Sequence, residues 1–478
     1  MNKKNIWIHI GIAVVLIGIA AIFGEFRQWQ STLVRKTSVF SESEAPRKPI
    51  AIERTSAESE PEVMVRFRSG VTLAEIKRLT AKNNDTIEDQ IENVNNLYSI
   101  DDLDNLTAES VAKQYAAMTD LVEYAEPNFE IRLEDPVESI SPKNLLLRKT
   151  DDQTGQPNDP MFQEQWALSN NGQNGGKLNA DIDVLKAWLK TQGSEDVVVA
   201  VLDSGVDYAH QDLVENIWFR PNNIPAYEDN ELGVIDDQNG YNADANSGDP
   251  MDQNGHGTHC AGIIGASGNN GKGIAGVNWK VQIMPLKFMG SGGFGTTKNA
   301  IEAINYAIDR KKAGVNVRVI NASWGSTMYS KALEDAIRAA GEQGILFVAA
   351  AGNNGTDNDK RPHYPSNYDL PNVISVAALD RGDTLASFSN FGVKTVHIAA
   401  PGKDILSTWL NDQYREASGT SMATPQVAGV AALIVADQPD ISVQDLRKQL
   451  LSSVDKLDIL NGKVENSGRL NASKALSR

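Results

Sequence analysis

The stretch Gly419-Thr420-Ser421-Met422-Ala423-Thr424-Pro425 places one serine among small residues, directly before an apolar run from Gln426 to Ala436 that reads as a buried helix. Glycine ahead of the serine lets a peptide backbone come close. A hydroxyl at a helix N-terminus lies beside unpaired N–H groups, which favour negative charge developing nearby. A nucleophile is displayed in this way, yet a serine so placed is also an ordinary helix N-cap.

Working outward, two segments tilt the reading toward chemistry. The strand-length apolar run Asp196 to Leu202 ends at Asp203-Ser204-Gly205. Further on, Asn254-Gly255-His256-Gly257-Thr258-His259-Cys260 opens a second run suited to a buried helix. Asp, His and Ser therefore each stand at the end of a core element, where distant parts of the chain converge. A serine needs an imidazole to take its proton, and the imidazole needs a carboxylate to fix its tautomer. His259 competes with His256 because residues three apart on a helix point to similar sides. It reads as a packed core histidine. Zinc on His256 and His259 is disfavoured, since the chain has one cysteine and no metalloprotease carboxylate motif.

Apolar strand patterns recur at Val197–Leu202, Val281–Pro285, Val317–Ala322, Ile345–Ala350 and Val373–Ala377. Helical patterns follow at 296–312, 331–343, 420–437 and 442–453. Such alternation predicts an α/β fold: a doubly wound parallel sheet with helices on both faces. Residues 61–134 predict a smaller α+β unit, with strands at Val63–Phe67, Leu97–Ile100 and Val122–Asn128 and helices at 72–82 and 108–118.

The chain has 478 residues and a net charge of −17. That acidity argues against nucleic acid as a partner, because phosphate binding needs clustered Lys and Arg. The single Cys260 excludes an internal disulfide framework and reads as a small buried hydrophobe. Residues 1–26 carry Lys3 and Lys4 ahead of an apolar stretch at 6–23, the pattern of a signal peptide or a signal anchor in the membrane. Residues 27–60 read as a linker, 135–157 as a cleavable tether, and 158–478 as the larger domain.

Four blocks, Asp203-Ser204-Gly205, His256-Gly257-Thr258-His259, Ala350-Ala351-Gly352-Asn353 and the serine heptad, make the region from 158 to 478 resemble the subtilisin-like serine proteases, in their thermitase-like branch. The resemblance implies a serine endopeptidase acting on proteins or peptides through an acyl-enzyme. Ser421 is then the nucleophile, His256 the base, Asp203 its orienting carboxylate and Asn353 the oxyanion donor. Asn353 also follows the strand Gly344–Ala350, in the site-forming zone of a parallel sheet, although a turn residue is equally at home there. Ser323-Trp324-Gly325 matches the segment that pairs with a substrate as an added strand, and Ser291-Gly292-Gly293 is a candidate for the opposite side. His363, before Tyr364-Pro365, departs from the family's pattern near the pocket floor. It either restricts the pocket to small or acidic residues or is a solvent-facing loop histidine.

Calcium is the implied cofactor. Asp159, Asp212 and Asn270 sit where thermitase-like relatives bind it, and Asp244, Asp249 and Asp252 lie in an oxygen-rich loop suited to a second ion. The Glu-Tyr-Ala-Glu-Pro-Asn ending of the smaller unit resembles the subtilase propeptide, a ferredoxin-like intramolecular inhibitor. It implies an exported zymogen, secreted or held at the cell envelope, that cuts itself between Leu133 and Asn158. Two alternatives stand beside this reading: a catalytically retired binding protein on the same fold, and a membrane-anchored processing protease with one partner substrate.

Overall fold

The computed structural model describes residues 62–104, 106–133 and 156–477. The targeting segment, the 27–60 linker and nearly all of the 135–157 tether lie outside the described residues.

Valine-rich runs favour extended backbone because branching at Cβ stiffens the side chain and packs well on a pleated surface. The run before Asp203 accordingly forms strand β6 (Gly193–Asp203). It is joined in parallel by β7 (Lys280–Lys287), β9 (Val317–Ala322), β10 (Leu346–Ala350), β11 (Val373–Leu379) and β12 (Ile398–Pro401). Three short edge strands complete nine, in the order Asp455–Lys456, Gly468–Arg469, β12, β11, β10, β9, β6, β7, Tyr241–Asn242. The chain reverses its direction of travel across the sheet at β6, which has β7 on one side and β9 on the other. Sites in open α/β sheets form at the carboxyl ends of strands at such a reversal.

Side chains alternate across the sheet, so each strand feeds two cores. Val199, Val201, Val319 and Val348 face helices α3 (His256–Gly265) and α6 (Thr420–Asp437). Ala200, Leu202, Ile320 and Phe347 face α4 (Thr297–Lys312) and α5 (Lys331–Glu342). Every residue of α6 from Thr420 to Val435 is buried. A helix apolar all round has to be central.

Helix α6 spans the 420–437 pattern expected of it, starting ahead of the apolar run at Gln426. It begins at Thr420, so Ser421 sits inside the first turn and Pro425 lies within the helix. Pro425 has no N–H to give to the carbonyl four residues back. That carbonyl belongs to Ser421, and it accepts from the Ser323 hydroxyl at 2.9 Å instead.

Residues 62–133 fold as β1 (Glu62–Phe67), α1 (Leu73–Lys82), β2 (Asp85–Gln90), β3 (Leu97–Asp102), α2 (Ala108–Ala116) and β4 (Val122–Pro127). The sheet order β2-β3-β1-β4 is the ferredoxin-like arrangement. Val63, Val65 and Phe67 pack on Ile76, Val111 and Tyr115 of its own helices. Met64, on the opposite face, joins Ile91, Val94 and Leu97 in the larger unit's core over α4 and α5. Beyond β4 the chain forms β5 (Glu130–Arg132), antiparallel to β8 (Phe294–Thr296).

Candidate active site

Asp203 is the last residue of β6 and His256 the first of α3. Their elements meet closely because Gly257 has no side chain: a Cβ there would stand 2.1 Å from the Gly205 carbonyl oxygen and 3.1 Å from Asp203 Cβ. His256 Nδ1 lies 2.8 Å from Asp203 Oδ1, which also accepts from the Ser204 N–H at 2.8 Å. Burial by itself lowers the His256 pKa. The Asp203 charge, the hydrogen bond to it and the more distant Asp252 outweigh burial and hold the imidazole above its ordinary value.

Ser421 and His256 are each 6% exposed, enough for a ligand to reach both. The Ser421 Oγ donates to the Ser323 carbonyl at 2.8 Å. Cys260 marks the convergence of the three elements. Its Sγ is 3.5 Å from the Ser421 carbonyl oxygen, and it shares a 4.8 Å sphere with the nearest ligand atoms of Asp203 and His256. Burial pushes its thiol well above the ordinary range, so it stays protonated as a small packing residue.

Asn353 lies three residues past β10. Its Oδ1 accepts from Thr420 N at 2.8 Å and Thr420 Oγ1 at 2.9 Å. With the oxygen so occupied, the amide NH2 is turned toward Gly419, where a Cβ would lie 3.4 Å from Nδ2. Thr420 thus orients Asn353, a role the sequence reading missed; its place between Gly419 and Ser421 was the available signal. Lys287 was missed as well. It is buried beside Asp203 in the sheet register and donates to the Ser204 and Met289 carbonyls at 2.6 and 2.9 Å.

His259 is the packed core histidine expected. It is fully buried, and its Nε2 lies 3.0 Å from the Arg415 carbonyl oxygen. Burial lowers its pKa to about 3.

Beyond Ser323, which holds the Ser421 hydroxyl, runs a cleft between β8 and Gly325, and residues 130–133 lie in it. Ile131 pairs with Gly295, Arg132 bridges to Gly325, and Leu133 N donates to the Gly293 carbonyl at 2.9 Å. The pairing edge is therefore Phe294–Thr296 with Gly293 at its head. Ser291 and Gly292 precede that edge, and the Ser291 carbonyl accepts from Asn254 Nδ2 at 3.0 Å. Trp324 turns its ring into the core, with Nε1 donating to the Leu202 carbonyl at 2.8 Å, and only its backbone borders the cleft. His363 is buried at 3% exposure rather than solvent-facing. Its ring occupies space that two glycines leave: a Cβ on Gly325 would fall 1.9 Å from Cε1, and one on Gly352 would fall 3.1 Å from Nε2.

Of the residues expected to hold cations, Asp159, Asp212 and Asn270 are brought together. Asp159 accepts from Asn269 N and Asn270 N, and Asp212 accepts from Asn270 Nδ2 at 2.8 Å and Ile274 N at 2.9 Å. Burial and the neighbouring Asp212 push Asp159 up to about 6. Asp244, Asp249 and Asp252 are engaged differently. Asp252 accepts from Ser204, Asn254, Gly255 and Thr258 and so braces the entry to α3. Asp249 accepts from the Tyr208 hydroxyl and Met251 N, while Asp244 Oδ2 would lie 3.4 Å from a Cβ on Gly290.

Comparison with known proteins agrees with this architecture. Residues 194–471 match the profile of the Subtilase family. A thermophilic serine proteinase of Bacillus sp. strain AK1 is 36% identical over 357 residues, covering 75% of this chain and 73% of that protein. Thermitase of Thermoactinomyces vulgaris is 35% identical over 320 residues, 67% of this chain and 99% of that protein. Among solved structures, a protease of Pseudoalteromonas arctica superposes with a TM-score of 0.54 at 28% identity, covering 67% of this chain and 98% of that one. The chain belongs to the subtilase family of serine endopeptidases.

Proposed function

We propose that the chain cleaves peptide bonds through Asp203, His256 and Ser421. The observation that carries this is the buried Asp203–His256 pair, 2.8 Å apart, at the sheet's reversal point and at the mouth shared with the first turn of α6. The Ser421 hydroxyl exchanges its acceptor, the Ser323 carbonyl, for Nε2 of His256 and gives up its proton there. Oγ then bonds to the substrate carbonyl carbon. Negative charge on the carbonyl oxygen is met by Asn353 Nδ2 and the Ser421 N–H, preorganised donors that need no rearrangement. As the C–N bond breaks, His256 returns the proton to the leaving amine, and water repeats the cycle on the acyl-enzyme.

The zymogen reading is supported by residues 130–133, which fill the cleft in an antiparallel register as a substrate would. Export rests on residues 1–26; among the described residues no helix is long and apolar enough to cross a membrane. For calcium, the chemistry of Asp159, Asp212 and Asn270 fits: two buried carboxylates, each with its pKa raised by burial and Asp159 raised further by Asp212, beside an amide, on an irregular loop. A bound ion there supplies charge balance and ties the 269–274 loop to the core.

Two tests follow. A serine-directed fluorophosphonate should label the processed enzyme, whereas a Ser421→Ala precursor should go unlabelled and accumulate at full length. Casein hydrolysis or normal trimming by that variant would overturn the assignment. Chelation should lower the melting temperature by several degrees while labelling of the native fraction persists; an unchanged melting curve would remove calcium from the account.

A further inference from the structure

We infer that a calcium ion bridges β2 of the smaller unit to the larger unit through Asp89, Asp229, Glu231 and Glu302, and that it keeps the two docked until release. The inference rests on the zymogen reading above and adds the ion that regulates it.

Three segments supply the oxygens. Asp89 stands near the end of β2, Asp229 and Glu231 lie at the turn between the short strands Tyr227–Asp229 and Gly233–Ile235, and Glu302 is on α4. One carboxylate oxygen from each of Asp89, Asp229 and Glu231 falls within 4.8 Å of the other two. Oxygens bound to one calcium at about 2.4 Å stand up to about 5 Å apart, so the three fit a single coordination sphere. A donor set of carboxylates without nitrogen or sulfur suits a hard cation. The backbone fixes two of these acids in place. Asp89 Oδ1 accepts from Gln90 N at 2.7 Å, and Asp229 Oδ1 accepts from Glu231 N at 2.9 Å and Leu232 N at 2.8 Å.

Glu302 sets this cluster apart from an ordinary acidic surface. It is 3% exposed, and no hydrogen-bond donor among the described residues meets its Oε1. A buried carboxylate oxygen left in that state carries its full desolvation cost. Its carboxyl lies within hydrogen-bond reach of Asp89, which in turn reaches Glu231, so Asp89 is the hub. Nearby donors are committed elsewhere. Asn305 Nδ2 goes to Glu92 at 2.5 Å, and Lys298 Nζ goes to Glu88 at 2.6 Å and Glu62 at 3.4 Å. A divalent ion seated against Asp89 supplies the positive charge that these side chains do not.

Asp89 belongs to the part of the chain that the proposed self-processing removes, so the site is whole only while the two units are docked. An ion that binds the docked state better than the separated one strengthens docking by that difference. Asp159, Asp212 and Asn270, by contrast, all belong to the larger unit. Without the ion, shared protons neutralise the bridging carboxyls, and the pH dependence of docking is a property of the calcium-free protein.

The experiment uses the full-length Ser421→Ala chain, stripped of metal and titrated with calcium chloride at neutral pH, with bound ions counted by equilibrium dialysis. Asp89→Asn should bind one ion fewer per chain than its parent. Glu231→Gln, an exposed position where folding is not at stake, should weaken the same ion by about 10- to 100-fold. In the active chain, calcium at ten times the dissociation constant should lengthen the lag between first self-cleavage and activity by about tenfold, and Asp89→Asn should abolish that response. Equal ion counts and affinities in the parent and both variants overturn the inference, since shared protons then suffice. A lag indifferent to calcium overturns it as well. Failure of the zymogen reading looks different: the dialysis difference stands, but the chain does not cut itself and has no lag to measure.

Discussion

Two regions of this molecule bury comparable side chains by opposite means. Around β6, α3 and α6 the burial is apolar, and the few polar groups are hydrogen-bonded by the backbone they brace, as Asp252 and Asn353 are. Where residues 62–133 meet α4 and α5, an apolar patch of Met64, Ile91, Val94 and Leu97 is ringed by acids. Glu62 and Glu88 straddle Lys298, Glu126 accepts from Ser330, Lys331 and Ala332 at the start of α5, and Asp89 faces Asp229, Glu231 and Glu302. Dry apolar packing is lost only by unfolding, whereas an interface of buried carboxylates depends on protons and on single capping bonds. The first suits a permanent site, the second a contact that the proposed self-processing would release.

The largest expected effect breaks the permanent side without touching the other. Asn353→Ala removes the proposed oxyanion donor and should lower kcat by roughly 100- to 1,000-fold, a scale established for subtilisin rather than derived from this chain. KM should change little, because the amide NH2 meets charge that develops during the reaction, while the melting temperature should fall modestly, because Thr420 N and Oγ1 lose their acceptor. Steady-state kinetics on a peptide and a thermal melt check it together. A variant slowed less than threefold would leave Asn353 as a turn residue.

A smaller effect addresses the releasable side. The Glu126 carboxylate caps α5 through Ser330 Oγ, Lys331 N at 2.9 Å and Ala332 N at 3.1 Å, where the helix's unpaired N–H groups favour negative charge. Glu126→Ala leaves those donors unmet across the interface and should weaken docking by about 10- to 100-fold. The readout is the lag between the first self-cleavage and the appearance of activity, which should shorten while the final rate is unchanged. An unaltered lag would show that the apolar patch alone holds the two units together.

Much of the permanent region is legible in the sequence, and for the same reason that it is permanent. Asp203, His256 and Ser421 each border a long apolar run, so hydrophobic patterning locates the strand ends and helix starts that carry them. The releasable region is less legible. β2 reads Asp-Thr-Ile-Glu-Asp-Gln and is a strand because β3 pairs with it, not because its side chains ask for burial. β8 and β5 each span three residues and exist only as partners of one another. Asp252 illustrates the limit at a single position. In sequence an acid in an Asn- and Gly-rich loop looks like a cation ligand, and only the fold shows its oxygens taken by N–H and O–H groups.

The finest test of the contrast is pH. Burial, the shared hydrogen bond with Glu88 and the Glu88 charge raise the Glu62 pKa to about 7, against the opposing pull of Lys298. Burial and the Asp89 carboxylate likewise raise Glu231 to about 8 and push Glu302 well above the ordinary range. A raised carboxyl holds its proton in the docked state when the undocked one, titrating near 4.5, has already lost it. Docking therefore takes up protons, is strongest at acid pH, and is lost as pH rises through 7 to 8. Glu88 is shifted down and stays ionised in both states across that window, so it contributes no slope there. Since Glu62 keeps Lys298 within 3.4 Å and Glu231 is largely exposed, solvent and pairing screen the effect to about a few-fold loss of docking between pH 6 and 8. Catalysis should move the other way in acid, because His256, as the proposed base, has to be neutral to accept a proton and its pKa is raised. Measuring the release lag and the rate of the released enzyme on one pH series separates the two. A lag that lengthens with rising pH would mean the acidic ring does not govern release.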